Sequence, residues 1–362
     1  MPAALTHYRW LCRVLSPWTT ASAQLTDWPQ DEADWQAIIQ LGSQHLILPA
    51  LYCRLLQLGW LARLPAEVAA ALQGFHELNQ WHNQRLREQV LAINSTLAEV
   101  GITPVWLKGA THLLASDWRQ RPRMMLDLDL WLTSPQALAD GLAALEGSGY
   151  TVPPEYASLS DDGGHHLRRR MQAGRPAGIE IHRHLVSADA WHLLADAQAV
   201  NTLRSEHRAG QLFATLSQLD QCLHSYIQCT LMNGDGWALG KIKLMKVLDL
   251  LERLHALPAD MAQTFWARLA TPAAQADANS LRGYLQHFFA YPDADGCDLR
   301  LVRRVRSQLT PDRWQRRRCR LLVHELRKGA QRLRQHRLGP WYSWPGKALR
   351  LLQRLLADPG QY

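Results

Sequence analysis

Lysine is scarce in this chain: six residues stand against 34 arginines, and four of the six fall in two places, Lys108 and the group Lys241, Lys243 and Lys246. Long apolar runs are missing too. No window approaches the roughly 18 unbroken apolar residues of a membrane-spanning helix, so no transmembrane segment is expected. The N-terminal "MPAALTHYRWLCRVL" lacks the charged-then-apolar layout of a secretory signal, and a cytoplasmic location is expected. The six cysteines (Cys12, Cys53, Cys222, Cys229, Cys297, Cys319) include no Cys-x-x-Cys pair, which argues against a zinc or redox motif and for free thiols. Internal repeats and low-complexity segments are absent as well.

What is present is an ordinary globular composition, 47% hydrophobic and 20% charged, in 362 residues. That length suffices for two or three packed units. The net charge of +8 hides an asymmetry: Arg300 to Arg354 contains 17 Lys or Arg against Asp312 and Glu325. The basic character therefore belongs to the tail, and the remainder of the chain is acidic.

Residues 1–100 carry helical spacing, as in "DEADWQAIIQLGSQHLILPALYCRLLQLGWL", and read as a helical lobe. The texture then changes. Short strands are expected at Ile102–Leu107, Met124–Leu132 and Gly178–Val186, with a helix after Ser134 that has Pro135 at its first position and ends at Gly147 and Gly149. Residues 151–177 are rich in turn formers. Helical periodicity returns from about 211, notably in "SQLDQCLHSYIQCTLMN" and "KIKLMKVLDLLERLHAL". The expected order is a helical lobe (1–100), a small α/β core (101–200), a second helical lobe (201–298) and a basic helical tail (299–362), an α+β fold in all.

The stretch "RMMLDLDLWL", residues 123–132, sets two like charges inside an apolar run. In a strand Asp127 and Asp129 share one face and Leu126, Leu128 and Leu130 the other, so the leucines can pack inward while the carboxylates emerge together. Their Cα atoms would stand roughly 6.5 to 7 Å apart. Carboxylates that close repel unless protons or cations compensate, and a divalent metal is the natural compensation. Glu180, alternating with Ile179 and Ile181, can supply a third carboxylate from a neighbouring strand. The plainer reading makes the aspartates the exposed face of an edge strand, with Arg123 as partner.

"VWLKGATHLL", "RMMLDLDLWL" and "GIEIHRHL", taken in order, resemble the uncharacterised nucleotidyltransferase family within the DNA polymerase β-like superfamily, whose members carry Leu-Lys-Gly-Ala, then Arg-x-x-x-Asp-x-Asp, then Glu-x-His. The resemblance spans most of residues 30–255. It implies a minimal nucleotidyltransferase core flanked by helices, and transfer of a nucleoside monophosphate from a nucleoside triphosphate to an acceptor hydroxyl on RNA or tRNA, a protein or a small molecule. It also implies that Asp127, Asp129 and Glu180 are the catalytic, metal-binding carboxylates, for Mg2+ or Mn2+, and that Lys108 with Gly109 forms the phosphate-side loop. Better-known enzymes of the superfamily have Gly-Ser at that loop. Here it reads Lys-Gly-Ala-Thr, as in toxin-type nucleotidyltransferases of abortive-infection systems, which leaves the mode of triphosphate binding open.

A glycine at a strand-to-helix junction lets backbone N–H groups approach phosphate, and the helix N-terminus favours the charge, a role that suits Gly109 and Thr111. Lys108 either neutralises a phosphate or is solvated. Arg123 either contacts the triphosphate or pairs with an aspartate. Lys241, Lys243 and Lys246, near a helix start, are either a solvated face or contacts to the triphosphate tail. His182 shares a face with Glu180 and is expected to support it from behind; a zinc site drawing on His165, His166, His182 and His184 is the alternative. The basic 299–354 segment fits an RNA backbone, an anionic membrane surface or a solvated helix face. Asp127→Asn and Asp129→Asn are expected to abolish transfer and leave the fold intact. The competing reading is a catalytically inactive module of the same fold that binds nucleotide or RNA.

Overall fold

The computed structural model describes residues 3–309, except 159, 162, 163, 234 and 293–296. The tail from 310 onward, with Cys319 and most of the segment expected to meet RNA or membrane, lies outside the described residues. Four helices open the chain: α1 (Ala3–Leu15), α2 (Glu32–Gln44), α3 (Leu48–Gln57) and α4 (Ala66–Glu99). Asp31 caps α2 by accepting from the Asp34 N–H, and Pro49 sits in the first turn of α3, where a missing N–H costs nothing.

Five strands form one mixed sheet: β1 (Val105–Trp106), β2 (Asp127–Trp131), β3 (Gly178–His182), β4 (Arg204–Arg208) and β5 (Gln211–Thr215), in the order β3-β2-β1-β5-β4. β2 runs parallel to β3 and antiparallel to β1; β5 runs parallel to β1 and antiparallel to β4. α5 (Ala110–Leu114) follows β1, and α6 (Pro135–Gly147) follows β2. As expected, Ser134 caps α6, accepting from the Ala137 N–H. The rest is α7 (Asp196–Ala199), α8 (Gln218–Cys229), α9 (Asp235–Leu239), α10 (Leu244–Ala256), α11 (Ala259–Arg268), α12 (Gln275–Phe289) and α13 (Arg300–Gln308). The fold is α+β, and among the described residues no helix is long and apolar enough to cross a membrane. Cys12, Cys53, Cys222 and Cys229 are free thiols.

The strands are shorter than their apolar runs. β3 ends at His182 because the next two N–H groups, of Arg183 and His184, both turn to the His165 carbonyl. β4 and β5 lie at the start of the 201–298 stretch, which was expected to be a helical lobe. Their turn, Ala209–Gly210, has both residues at positive φ, the geometry that folds two strands into a tight hairpin. β4 reads Arg-Ser-Glu-His-Arg on an edge of the sheet, with no apolar alternation to announce it.

Two cores share the work. Helices from both ends of the chain make the larger one, where Tyr8 of α1 and Tyr284 of α12 join hydroxyls at 2.6 Å. The smaller lies between the sheet, α4 and α6. α4 also fixes the sheet through polar side chains. Gln89 holds both the carbonyl and the N–H of Ala177, just before β3, while Asn83 and His82 hold the carbonyls of Arg123 and Met125, just before β2. A single rigid helix thereby sets the entry points of the two strands that carry the carboxylates.

Candidate active site

In β2, Leu128 and Leu130 are fully buried, as the alternation requires. Leu126 is not: the strand begins at Asp127, so Leu126 falls outside the period and is 62% exposed. β2 and β3 pair in parallel with Asp129 opposite Glu180. Since residues opposite each other in neighbouring strands point to the same face, Asp127, Asp129 and Glu180 converge.

Each carboxylate has a cationic neighbour. Lys108 Nζ lies 2.5 Å from Asp129 Oδ1, and the same oxygen meets His182 Nε2 at 2.9 Å. Arg169, on the segment that runs antiparallel beside β3, donates to Asp127 Oδ2 at 2.8 Å and to Glu180 Oε1 at 3.0 Å. Burial opposes the ionisation of Asp129, which is 3% exposed, but Lys108 and His182 outweigh it and hold its carboxyl well below the usual range. Asp127 goes the other way. Burial, then the charges of Asp129 and Glu180, push its carboxyl up despite Lys108 and Arg169. His182 therefore supports Asp129 rather than Glu180, because its ring points along the β2 side of the pair.

The loop between β1 and α5 borders these groups. Lys108 takes a left-handed conformation (φ 48°), uncommon for a residue with a side chain and costing about 1 kcal/mol. Gly109 has ordinary helical angles; its role is space, since a Cβ there would stand 2.6 Å from Met125 Cγ. Successive left-handed and right-handed residues turn their N–H groups to one side, an arrangement that cradles anions, and neither N–H is spent on a backbone hydrogen bond.

A cavity of about 260 Å3 opens in front of this loop. Lys108, Gly109, Arg123, Asp127 and Asp129 line it from the sheet and its loops, and His224, Ser225 and Gln228 of α8 and Lys246 and Asp249 of α10 line it from the helices. Of the residues assigned to nucleotide from the sequence, Lys108, Gly109 and Arg123 thus reach the cavity. Arg123 is clamped by Asp249 through two parallel bonds of 2.7 and 2.9 Å, so its carboxylate partner comes from α10 and not from β2. Thr111 faces a separate cleft, where its hydroxyl bonds the Lys108 carbonyl and receives Arg253. Lys241 and Lys243 stand off the cavity, and Lys243 donates to the Gln44 carbonyl at 2.7 Å. Sequence reasoning passed over the α8 face, whose polar residues look like the solvated side of an ordinary amphipathic helix.

The donor set suits a divalent cation. One ligand atom each from Asp129, Glu180 and His182 fall within 4.8 Å of one another, and Asp127 lies on the same face beside them. The histidine cluster offers less. His165 and His166 pack their rings on His182, while His184 is taken by Asp196 at 2.6 Å.

No curated protein and no solved structure matches the chain significantly. A family model does, over residues 31–290, which include the loop, both carboxylate strands and the α8–α10 wall. The chain belongs to the uncharacterised nucleotidyltransferase family.

Proposed function

We propose that the protein is a metal-dependent nucleotidyltransferase that moves a nucleoside monophosphate from a nucleoside triphosphate onto an acceptor hydroxyl, releasing pyrophosphate. The observation that carries this reading is the parallel register of β2 and β3, which brings Asp127, Asp129 and Glu180 to one face beside a cavity that also holds the Lys108–Gly109 loop. Asp127, Asp129 and Glu180 would hold Mg2+ or Mn2+, which when bound supplies positive charge to the phosphates and lowers the pKa of the acceptor hydroxyl. Lys108 and His182 keep Asp129 ionised and fixed in orientation. The open N–H groups of Lys108 and Gly109 bind phosphate oxygens. The acceptor hydroxyl releases its proton to solvent, and its oxygen bonds to the α-phosphorus as the bond to the pyrophosphate oxygen breaks, with positioning and charge stabilisation carrying most of the rate.

One observation favours the second reading, an inactive module that binds nucleotide or RNA: Arg169 already neutralises Asp127 and Glu180. Incubation of the protein with labelled nucleoside triphosphates, Mg2+ and total cellular RNA or lysate separates the two. A labelled product that disappears in Asp127→Asn supports the transferase; nucleotide binding with no product in any fraction supports the module. The acceptor, whether RNA, tRNA, protein or small molecule, is identified by the fraction that takes up label.

A further inference from the structure

Three cations line the cavity, and they differ in what neutralises them. Lys108 is matched by Asp129, and Arg123 by Asp249. Lys246 is matched by no carboxylate among the described residues: its ammonium donates to the carbonyl of Gln228 at 3.2 Å. Burial lowers its pKa; the charges of Lys108 and Arg123 press in the same direction, and Cys229 and Asp249, the latter already held by Arg123, offset this only in part. A partly buried ammonium facing two other cations is costly unless an anion joins it.

The neighbouring turn of α8 shows a matching deficit. His224 also lines the cavity, is 3% exposed, and its Nε2 has no hydrogen-bond partner. Buried ring nitrogens are ordinarily paired, and one left open beside a cavity points to a partner supplied from outside. His224 lies one helical turn from Gln228, whose carbonyl holds Lys246, so the two groups belong to one wall of the cavity that Asp127 and Asp129 also line.

We propose that this α8–α10 wall is the subsite for the terminal phosphates of the nucleoside triphosphate, with Lys246 supplying the charge and His224 a hydrogen bond. The inference rests on the transferase reading for the identity of the ligand; the charge imbalance itself is independent of it. It also moves the phosphate contact within the lysine group. Lys246, in the first turn of α10, reaches the cavity, whereas Lys243 caps that helix and turns its ammonium to Gln44.

The test compares binding of a nucleoside triphosphate, the matching diphosphate and the monophosphate to the full chain in Mg2+, by calorimetry. Lys246→Met keeps the length of the side chain and removes its charge; it is expected to weaken triphosphate binding about tenfold or more, the loss of one charge-assisted contact, with monophosphate binding changed less than about twofold. Lys246→Arg recovers most of the loss, and His224→Gln gives a smaller loss in the same order of ligands. Equal weakening of all three nucleotides, or unchanged triphosphate affinity in Lys246→Met, overturns the subsite and leaves the transferase reading standing. Failure of the unmodified protein to bind any nucleoside triphosphate overturns both.

Discussion

Arg169 donates to Glu180 at 3.0 Å, and the same nitrogen reaches Asp127 at 2.8 Å. Its guanidinium therefore stands among the carboxylates proposed to hold a divalent cation, and acts as a built-in counter-charge. Any metal that enters must displace it or share those oxygens. Arg169→Ala is expected to tighten Mn2+ binding about tenfold, near 1.4 kcal/mol, because the competitor is gone. The metal-free variant should also melt earlier, since three converging carboxylates then repel with less compensation. Titration followed by the electron paramagnetic resonance of Mn2+ reads the first effect and thermal denaturation the second. Unchanged Mn2+ affinity would show that the arginine does not share the metal's place.

The stem of Arg169 crosses β3 at Gly178, the residue paired with Asp127. A Cβ there would stand 2.6 Å from Arg169 Cδ, and that stem has to move aside. Gly178→Ala is accordingly expected to shift Mn2+ affinity in the same direction as Arg169→Ala. Because both changes act through one side chain, the double variant should bind Mn2+ no more tightly than Arg169→Ala alone. Additive effects in that cycle would mean that Gly178 matters for some other contact.

Asp127 and Asp129 are equivalent in the sequence motif and unequal in the structure. Asp127 is half-buried and borders the cavity; Asp129 is buried and is the anchor of Lys108 and His182. Asp127→Asn should cost at least about 100-fold in transfer with little change in melting, as expected for lost charge at a reacting centre. Asp129→Asn should lose transfer and also about 3 kcal/mol of stability, because it strands a largely buried ammonium. On this reasoning the second substitution, unlike the first, is expected to weaken the fold as well as the reaction. Urea denaturation of the two asparagine variants side by side checks the split, and equal midpoints would contradict it.

How far the site was legible follows from what kind of signal each part sends. Asp127, Asp129 and Glu180 lie in strands short enough for alternation to fix their faces, so the convergence of the three could be read from the order of the motifs. The pairing of Arg123 with Asp249, 126 residues apart, has no such local signature; an arginine four residues before an aspartate looked like its natural partner, and α10 supplied a better one. Arg169 sits in a turn-rich stretch with one arginine on either side of it, and only the bridges between residues 166–170 and β3 select which of the three reaches the carboxylates. β4 is polar throughout, so its place in the sheet comes from pairing with β5 and not from any hydrophobic face of its own.

The pH dependence of stability turns on buried imidazoles. Burial pulls His112 down to about 3 against an ordinary 6.5, with Asp249 only partly offsetting it, and neither ring nitrogen has a hydrogen-bond partner. His182 and His224, also buried, are lowered by the same cause. The folded state thus refuses protons that the unfolded chain accepts below about pH 6.5, so the contribution is complete above that pH and is lost as pH falls towards 3. For His112 alone the slope within that window is about 1.4 kcal/mol per pH unit. Carboxylates held low by their partners, such as Asp249, add their own loss only nearer pH 4, but Glu252, which burial pushes up to about 7, takes up its proton between pH 7 and pH 5 and offsets part of the histidine loss there. Urea unfolding should show stability dropping across that interval, and His112→Leu should flatten the drop while leaving the slope due to the other histidines that burial lowers, His45, His165, His182, His224 and His287. Parallel profiles for the two proteins would mean that His112 is protonated without cost in the fold, and that its contacts with Asp249 at 3.7 Å and Glu252 at 3.9 Å are true ion pairs.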